Sequence, residues 1–156
     1  MIEKSFANQL FLKYLKKKIQ KNKNFIVGID GPTASGKTIL ADNLKAKIER
    51  SGKKCFIFRL DWTLISREDR LLDLKEINKT KSSLPYEGAL HMRLSMVESF
   101  LKEVREIEYS KKKKIIKLKQ LYSRENNGKT NGTCSIELDS GYVIILEGHY
   151  TSETKL

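Results

Sequence analysis

One octet of residues limits what this chain can fold into more than any other feature. Residues 31–38 read GPTASGKT and match the pattern G-x-x-x-x-G-K-[ST] at every fixed position. The glycines allow a loop whose backbone amides converge on phosphate oxygens, and a helix after the loop adds its positive N-terminal end. In this pattern Lys37 reaches the β- and γ-phosphates, and the hydroxyl of Thr38 binds Mg²⁺, which prefers oxygen ligands. The octet therefore predicts a site for a nucleoside triphosphate with Mg²⁺.

The octet also lies in the required context, between a buried strand and a helix. Residues 25–29 are a continuous apolar run, which is typical of a strand covered on both faces. A helix is expected from residue 36 to about residue 50, where a Ser-Gly pair signals its end. The residues expected to bind the nucleotide are those of the loop and the first turn of this helix: Gly31, Thr33, Ala34, Ser35, Gly36, Lys37, Thr38 and Ile39.

Two further apolar runs, residues 55–58 and 142–146, predict strands of the same sheet. Buried strands that alternate with helices indicate a parallel sheet with right-handed crossovers. The fold class is therefore α/β, a P-loop NTPase fold with three layers and a short parallel sheet. Asp61 and Glu147 follow the second and third runs, at the carboxyl ends of strands, where open α/β sheets bind their ligands.

Periodicity and capping signals predict the elements that connect these strands. Amphipathic patterns indicate helices over residues 3–20 and 87–108, and a capping box at Ser66 begins a short helix. The stretch 114–138 alternates apolar and polar residues and contains two Asn-Gly pairs, which indicates a β-hairpin. We expect one domain over residues 1–156, divided into an N-terminal helix (1–23), a nucleotide-binding core (24–151) and a hairpin excursion (111–139).

The two strand-end carboxylates have distinct predicted roles. Asp61 can accept the proton of an attacking hydroxyl, a contribution of about 10²–10⁴ in rate. Glu147 has the position at which a strand-end acid holds Mg²⁺ or orients a water molecule on it. The predicted metal ligands are therefore Thr38, Glu147 and Asp61.

The octet, Asp61 followed by an aromatic residue, and the stretch VIILEG at 143–148 together resemble the uridine kinase/phosphoribulokinase family of P-loop kinases. The resemblance extends over roughly residues 24–150. It implies transfer of the ATP γ-phosphoryl group to a hydroxyl of a nucleoside or other small metabolite. Lys37 and Asp61 would be the catalytic residues, with Asp61 as the base. It also implies a helical pair and a hairpin over the acceptor, and residues 69–138 have that layout.

The acceptor itself is not identified by the resemblance. Uridine kinases carry an aromatic pair after the aspartate and a hairpin motif with a proline, an acid and a nearby histidine. Here Trp62 is followed by threonine, and the hairpin keeps only the tyrosine, Tyr122. The predicted acceptor site consists of Asp61, Trp62, Tyr86, Arg93, Tyr122 and Glu147.

Two other functions remain open at this point. One is a P-loop module that binds a nucleotide without turnover. The other is a tRNA-modifying transferase, because the octet also resembles that of the tRNA dimethylallyltransferases. The net charge of +12 bears on the second, since residues 13–23 and 111–119 each hold six lysines and no acid. With almost no arginine and few aromatic residues nearby, these clusters favour solvated surfaces over a nucleic-acid partner.

Composition also limits the location of the chain. The longest uncharged apolar run, residues 142–146, is too short for a membrane-spanning helix. Two cysteines, Cys55 and Cys134, cannot form a disulfide framework. A cytoplasmic protein without a membrane partner is expected.

The family resemblance further implies that the third strand lies between the second and the first, with more strands and an arginine-bearing lid beyond. Only nine residues follow Glu147. The expectation is thus a C-terminally incomplete kinase in which residues 25–29 form an exposed sheet edge. Such a chain would bind ATP weakly, turn over slowly, and self-associate or pair with a partner chain through that edge.

Overall fold

The structure is a computed structural model that describes residues 13–14, 17–18, 23–80 and 91–149, with the side chains of residue 74 and residues 76–80 left out. Its elements, in chain order, are β1 (Phe25–Ile29), α1 (Lys37–Arg50), β2 (Lys54–Arg59), a 3₁₀ turn (Leu60–Thr63), α2 (Arg67–Thr80), α3 (Leu94–Ser110), β3 (Lys114–Ser123), β4 (Lys129–Leu138) and β5 (Tyr142–Glu147).

Three strands form a parallel sheet in the order β1-β5-β2. The central strand is β5, whose residues Val143, Ile144, Ile145 and Leu146 are fully buried. Burial on both faces explains why each of these strands is a continuous apolar run rather than an alternating one. The predicted parallel sheet is confirmed, and so is the position of the third strand between the other two.

Apolar side chains cover both faces of this sheet. On one face, α1 contributes Ala41, Leu44 and Ile48 to a cluster with residues of all three strands. On the other face, α3 and the hairpin pack against Phe58 and Leu146. The sheet is therefore the middle of three layers, as the sequence predicts.

The connecting helices agree in part with the predicted ones. The capping box is present, because the hydroxyl of Ser66 accepts a hydrogen bond from the Asp69 amide at 3.1 Å. The helix α2 begins at Arg67, directly after Ser66. The next helix is predicted to begin at residue 87, and this prediction is wrong for residues 91–93, the first described residues of the predicted range. Residues 91–93 are not α-helical: Met92 forms an isolated antiparallel bridge with Leu64, the Arg93 amide donates to the Thr63 carbonyl at 2.8 Å, and the His91 carbonyl accepts from the Ile65 amide at 2.9 Å. The helix α3 therefore begins at Leu94.

The hairpin of β3 and β4 is confirmed, with one difference in its turns. The pair Asn127-Gly128 lies in the turn between the strands, where both residues have positive φ. The second Asn-Gly pair lies inside β4, where Gly132 is opposite Leu121 next to an irregularity in the strand register. A glycine there lets the two backbones approach, since an added Cβ would lie 2.9 Å from the Leu121 carbonyl oxygen.

Other predictions fall partly outside the described residues. Of the predicted N-terminal helix, residues 13–14 and 17–18 are described, and they are helical. Residues 87–90 are not described. Among the described helices, none combines the length and the apolar character that crossing a membrane requires.

Candidate functional site

A cleft of about 890 Å³ lies at the carboxyl ends of the three parallel strands. It is lined by the glycine-rich loop with the first turn of α1 and by residues of the hairpin. Asp61, Trp62, and Glu147 with the two residues after it also line the cleft. The cleft thus brings together side chains that are up to 116 positions apart in the sequence.

The loop has the backbone conformation that its sequence predicts. Gly36 precedes α1 with φ +85°, a left-handed conformation that favours glycine. Among the described residues no side chain caps α1, and the first turn of the helix contains no acidic residue. The amides of this turn are therefore not blocked by a carboxylate of the helix itself, and the helix end is suited to an anion. The Lys37 ammonium donates to the carbonyls of Gly31 and Pro32, both at 2.7 Å.

Glu147 lines the cleft and is buried, with 6% of its surface exposed. The Thr38 hydroxyl donates to its Oε1 at 3.0 Å, and Arg59 donates to its Oε2 at 3.2 Å. The same guanidinium reaches Asp42 on α1 at 2.8 Å. Arg59 therefore joins α1 to the end of the sheet and compensates the charge of the buried carboxylate.

Thr38 and Glu147 are suited to hold Mg²⁺. In nucleotide sites this ion takes one or two side-chain oxygens and completes its octahedron with phosphate and water oxygens. The hydroxyl and carboxylate oxygens of this pair are 3.0 Å apart, so both can face one ion beside the loop. Asp61, the third predicted ligand, lines the same cleft but bonds to the hairpin instead.

Asp61 lies on the 3₁₀ turn after β2 rather than at the strand end itself. The buried hydroxyl of Thr63 donates to the Leu60 carbonyl at 2.8 Å and so stabilises this turn. The turn packs closely against the end of β5, because a Cβ on Gly148 would lie 2.6 Å from the Leu60 Cβ. Gly148 therefore permits the approach that places Asp61 and Glu147 in one cleft. The partner of Asp61 is Arg124 of the hairpin turn, at 2.5 Å.

The residues predicted to bind the acceptor have different positions. Trp62 lines the cleft and packs edge-on against Phe58, with ring centroids 5.8 Å apart. Tyr122 also lines the cleft. Arg93 does not: its guanidinium donates to backbone carbonyls, including those of Trp62 and Gln120, and so ties the 3₁₀ turn to β3. Tyr86 lies outside the described residues.

Three residues that line the cleft are not among the predicted site residues. Arg59 and Arg124 are the ion partners of the two carboxylates. A charge at the end of an apolar strand was the only sequence signal for Arg59. His149 also lines the cleft, and its Nε2 lies 2.9 Å from the Thr33 hydroxyl.

The cysteines do not supply a nucleophile. Burial raises the pKa of the Cys55 thiol to about 12, with a smaller contribution from Glu49. Cys134 lines the cleft, and burial raises its thiol pKa as well. Both groups are therefore protonated thiols at neutral pH, and thiolate chemistry is not expected of this cleft.

Comparison with known proteins identifies the fold. No protein-family model matches the chain, and no curated protein sequence matches it. Among solved structures, a possible uridine kinase from Bacillus stearothermophilus aligns with 97% of the chain and 76% of its own length, at TM-score 0.61 and 19% identity. The D-glycerate 3-kinase from Cryptococcus neoformans aligns with 94% of the chain and 51% of its own length, at TM-score 0.54 and 18% identity.

A third structure, the YGR205w protein, has TM-score 0.58 and 14% identity over 94% of the chain. The chain spans about half the length of this protein and of the glycerate kinase, 51% of each. At these identities the similarity concerns the fold. The parallel sheet, the glycine-rich loop before α1 and these neighbours together show that the chain has the fold of the P-loop kinases.

Proposed function

We propose that this chain is an ATP-dependent phosphotransferase that transfers the γ-phosphoryl group to a hydroxyl of a small metabolite. The main support for the proposal is that the groups required for this reaction line a single cleft. The loop with Lys37, the Thr38–Glu147 pair and Asp61 all line it. A phosphate site, a pair of metal-binding oxygens and a carboxylate base are the parts that phosphoryl transfer requires.

Each of these side chains has a role in the proposed reaction. The acceptor oxygen forms a bond to the γ-phosphorus while the bond to the β,γ-bridging oxygen breaks, and ADP leaves. Asp61 takes the proton of the acceptor hydroxyl. Lys37 and the loop amides stabilise negative charge on the phosphate oxygens. Mg²⁺ held by Thr38 and Glu147 would offset the charge of the transferred group.

The similar structures support a kinase and leave the acceptor open. Two of them are named for different acceptors, uridine and D-glycerate. The hairpin lysines favour a small acceptor over RNA, because two of them are paired with acids. Lys113 bonds to Glu137 at 3.0 Å, and Lys114 bonds to Glu103 on α3. Paired lysines contribute less to a phosphate-binding surface than free ones.

The test is phosphoryl transfer by the purified chain. It is incubated with γ-labelled ATP, Mg²⁺ and pools of hydroxylated metabolites, and labelled products are separated by chromatography. We expect a labelled product with one pool. Asp61→Asn should lower its rate of formation by about 10²–10⁴ while ADP affinity is retained.

The matched control is Glu98→Gln, which removes an exposed carboxylate on α3 outside the cleft. It should retain the wild-type rate. ADP binding without any labelled product would indicate a nucleotide-binding module instead. An equal rate in Asp61→Asn would remove Asp61 from the mechanism.

A further inference from the structure

Next to Asp61 the cleft adjoins a second cavity whose walls carry three arginines. This cavity has about 480 Å³ and shares Tyr122 and Arg124 with the main cleft. The start of α2 and the hairpin turn supply its other walls, which are Arg67, Arg70, Leu71, Asn127 and Gly128. We term it the arginine pocket. No acidic residue is among these described lining residues, and of the three guanidinium groups that of Arg124 is paired with Asp61 of the main cleft. The positive charge of the pocket therefore comes mainly from Arg67 and Arg70.

Arg70 is held in place by its contacts with Tyr122. Its guanidinium stacks over the Tyr122 ring, 4.9 Å from the centroid, and Nη2 donates to the Tyr122 hydroxyl at 2.8 Å. Its Nε is buried and has no hydrogen-bond partner among the residues that the structure describes. Buried polar groups without a partner are uncommon, and a small shift of the side chain would be needed for a ligand oxygen to reach this donor. The guanidinium of Arg70 is otherwise positioned by Tyr122 at the wall of the pocket.

The walls of the pocket are locked together by close backbone contacts. The Arg67 amide donates to the Gly128 carbonyl at 2.9 Å, which joins the start of α2 to the hairpin turn. Gly128 has φ +75°, and a Cβ there would lie 2.6 Å from the Arg67 Cβ and 3.2 Å from the Tyr122 hydroxyl. Only glycine allows this approach. The pocket is therefore preformed, which lowers the entropic cost of binding.

Arg124 connects the pocket to the proposed base. It lines both cavities and bonds to Asp61 at 2.5 Å, with 72% of its side chain exposed. An acceptor whose hydroxyl contacts Asp61 would therefore have its remaining atoms beside Arg124. A ligand anion there would share this guanidinium with Asp61.

We propose that the phosphoryl acceptor carries an anionic group, a phosphate or a carboxylate, that binds in the arginine pocket while its hydroxyl contacts Asp61. Arginine presents donors in a planar fork that matches the oxygens of both groups. The proposal rests on the proposed function for the reaction itself. Anion binding in the pocket can be measured separately from that reaction.

The experiment observes the arginine Nε–H signals by nuclear magnetic resonance. The full chain is ¹⁵N-labelled and held with Mg·ADP in excess, so that added anions do not compete for the loop. Arg67→Lys and Arg70→Lys assign the two signals by their loss. Inorganic phosphate and acetate are then titrated separately against sodium chloride at equal ionic strength.

We expect both signals to shift in a saturable way with at least one of the two anions, and not with chloride. Saturation by phosphate indicates a phosphorylated acceptor, and saturation by acetate alone indicates a carboxylate. Arg67→Gln and Arg70→Gln should each weaken the binding about tenfold, the loss expected for one charge-assisted hydrogen bond. Arg105→Gln, at an exposed position of α3 outside the pocket, should leave it unchanged.

Two results would overturn the proposal. The first is that neither anion shifts the signals more than chloride does. The second is that Arg67→Gln, at an exposed position where loss of the side chain should not prevent folding, binds the anion as tightly as the wild type. If Mg·ADP itself fails to bind, the proposed function fails, whereas the arginine signals still report on the pocket.

Discussion

The pairing of Arg59 with Glu147 allows a quantitative test of how the cleft is held together. Arg59 bonds to two carboxylates of unlike burial: the Glu147 side chain is 8% exposed, and that of Asp42 is 54% exposed. The two distances are similar, 3.2 Å to Glu147 and 2.8 Å to Asp42. Burial should therefore decide which pair contributes more to stability.

The expected energies follow from the environment of each pair. At 3.2 Å, with an effective dielectric constant of about 20, the Glu147 pair has a Coulomb energy of about 5 kcal/mol before desolvation. Desolvation offsets part of this, and Arg59 is 28% exposed, so a net coupling of about 1.5–3 kcal/mol is expected. The exposed Asp42 pair should couple by about 0.2–1 kcal/mol.

Two double-mutant cycles measure these couplings. Arg59→Met retains the aliphatic stem and is combined with Glu147→Gln in one cycle and with Asp42→Asn in the other. Urea unfolding followed by circular dichroism gives the free energy of unfolding of each variant. If the Asp42 cycle gave the larger coupling, or if both were below about 0.5 kcal/mol, the argument from burial would be refuted.

Three further outcomes are expected. Glu147→Gln should retain nucleotide affinity but require more Mg²⁺ for half-maximal transfer, and a mutant rate insensitive to Mg²⁺ would assign the metal to another residue. Gly148→Ala should lower the free energy of unfolding by about 2–4 kcal/mol, because Gly148 has φ +155° and the new Cβ would lie 2.6 Å from the Leu60 Cβ. The control Gly52→Ala should lower it by only about 1 kcal/mol, because Gly52 has φ +76° but no atom lies near the new Cβ. The pKa of the Cys55 thiol rises from 9.0 to about 12 on folding. The thiol therefore stabilises the fold below pH 9, and this stabilisation is lost between pH 9 and 12, where the unfolded chain binds fewer protons than the folded chain. From pH 8 to 10, wild-type stability in urea should therefore fall about 1 kcal/mol more than that of Cys55→Ala.

Local patterns in the sequence were sufficient to predict the glycine-rich loop and the buried strands beside it. The octet specifies its own loop conformation, and the apolar runs specify buried strands. Even the capping box at Ser66 depends only on residues three positions apart. These features could be predicted because the interactions that produce them join residues that are close together in the sequence.

The ion pairs of the cleft depend on contacts far apart in the sequence. Arg59 and Glu147 are aligned residues of neighbouring parallel strands, 88 positions apart, and only the strand register places them side by side. Arg124 reaches Asp61 across 63 positions because the hairpin folds over the cleft. No local sequence pattern specifies the register of β2 against β5 or the position of the hairpin at the cleft. The ion-pair partners could therefore not be predicted from the sequence.

The error at the start of α3 has the same origin. Apolar spacing continues upstream of Leu94, so periodicity alone extends the helix. The amide of Arg93 instead bonds to the 3₁₀ turn, a tertiary contact that competes with helix formation. In the described residues β1 is an edge of the parallel sheet, and self-association through that edge stays a prediction.

Calorimetry of Lys37→Ala tests whether the cleft binds Mg·ATP through the glycine-rich loop. A non-hydrolysable ATP analogue with Mg²⁺ is titrated into the wild type, Lys37→Ala and the control Lys47→Ala, whose lysine is exposed in the last turn of α1. Loss of a cation that contacts the phosphates should weaken binding at least about tenfold in Lys37→Ala and leave Lys47→Ala unchanged. Equal affinity in all three proteins would contradict the assignment of the loop as the nucleotide site.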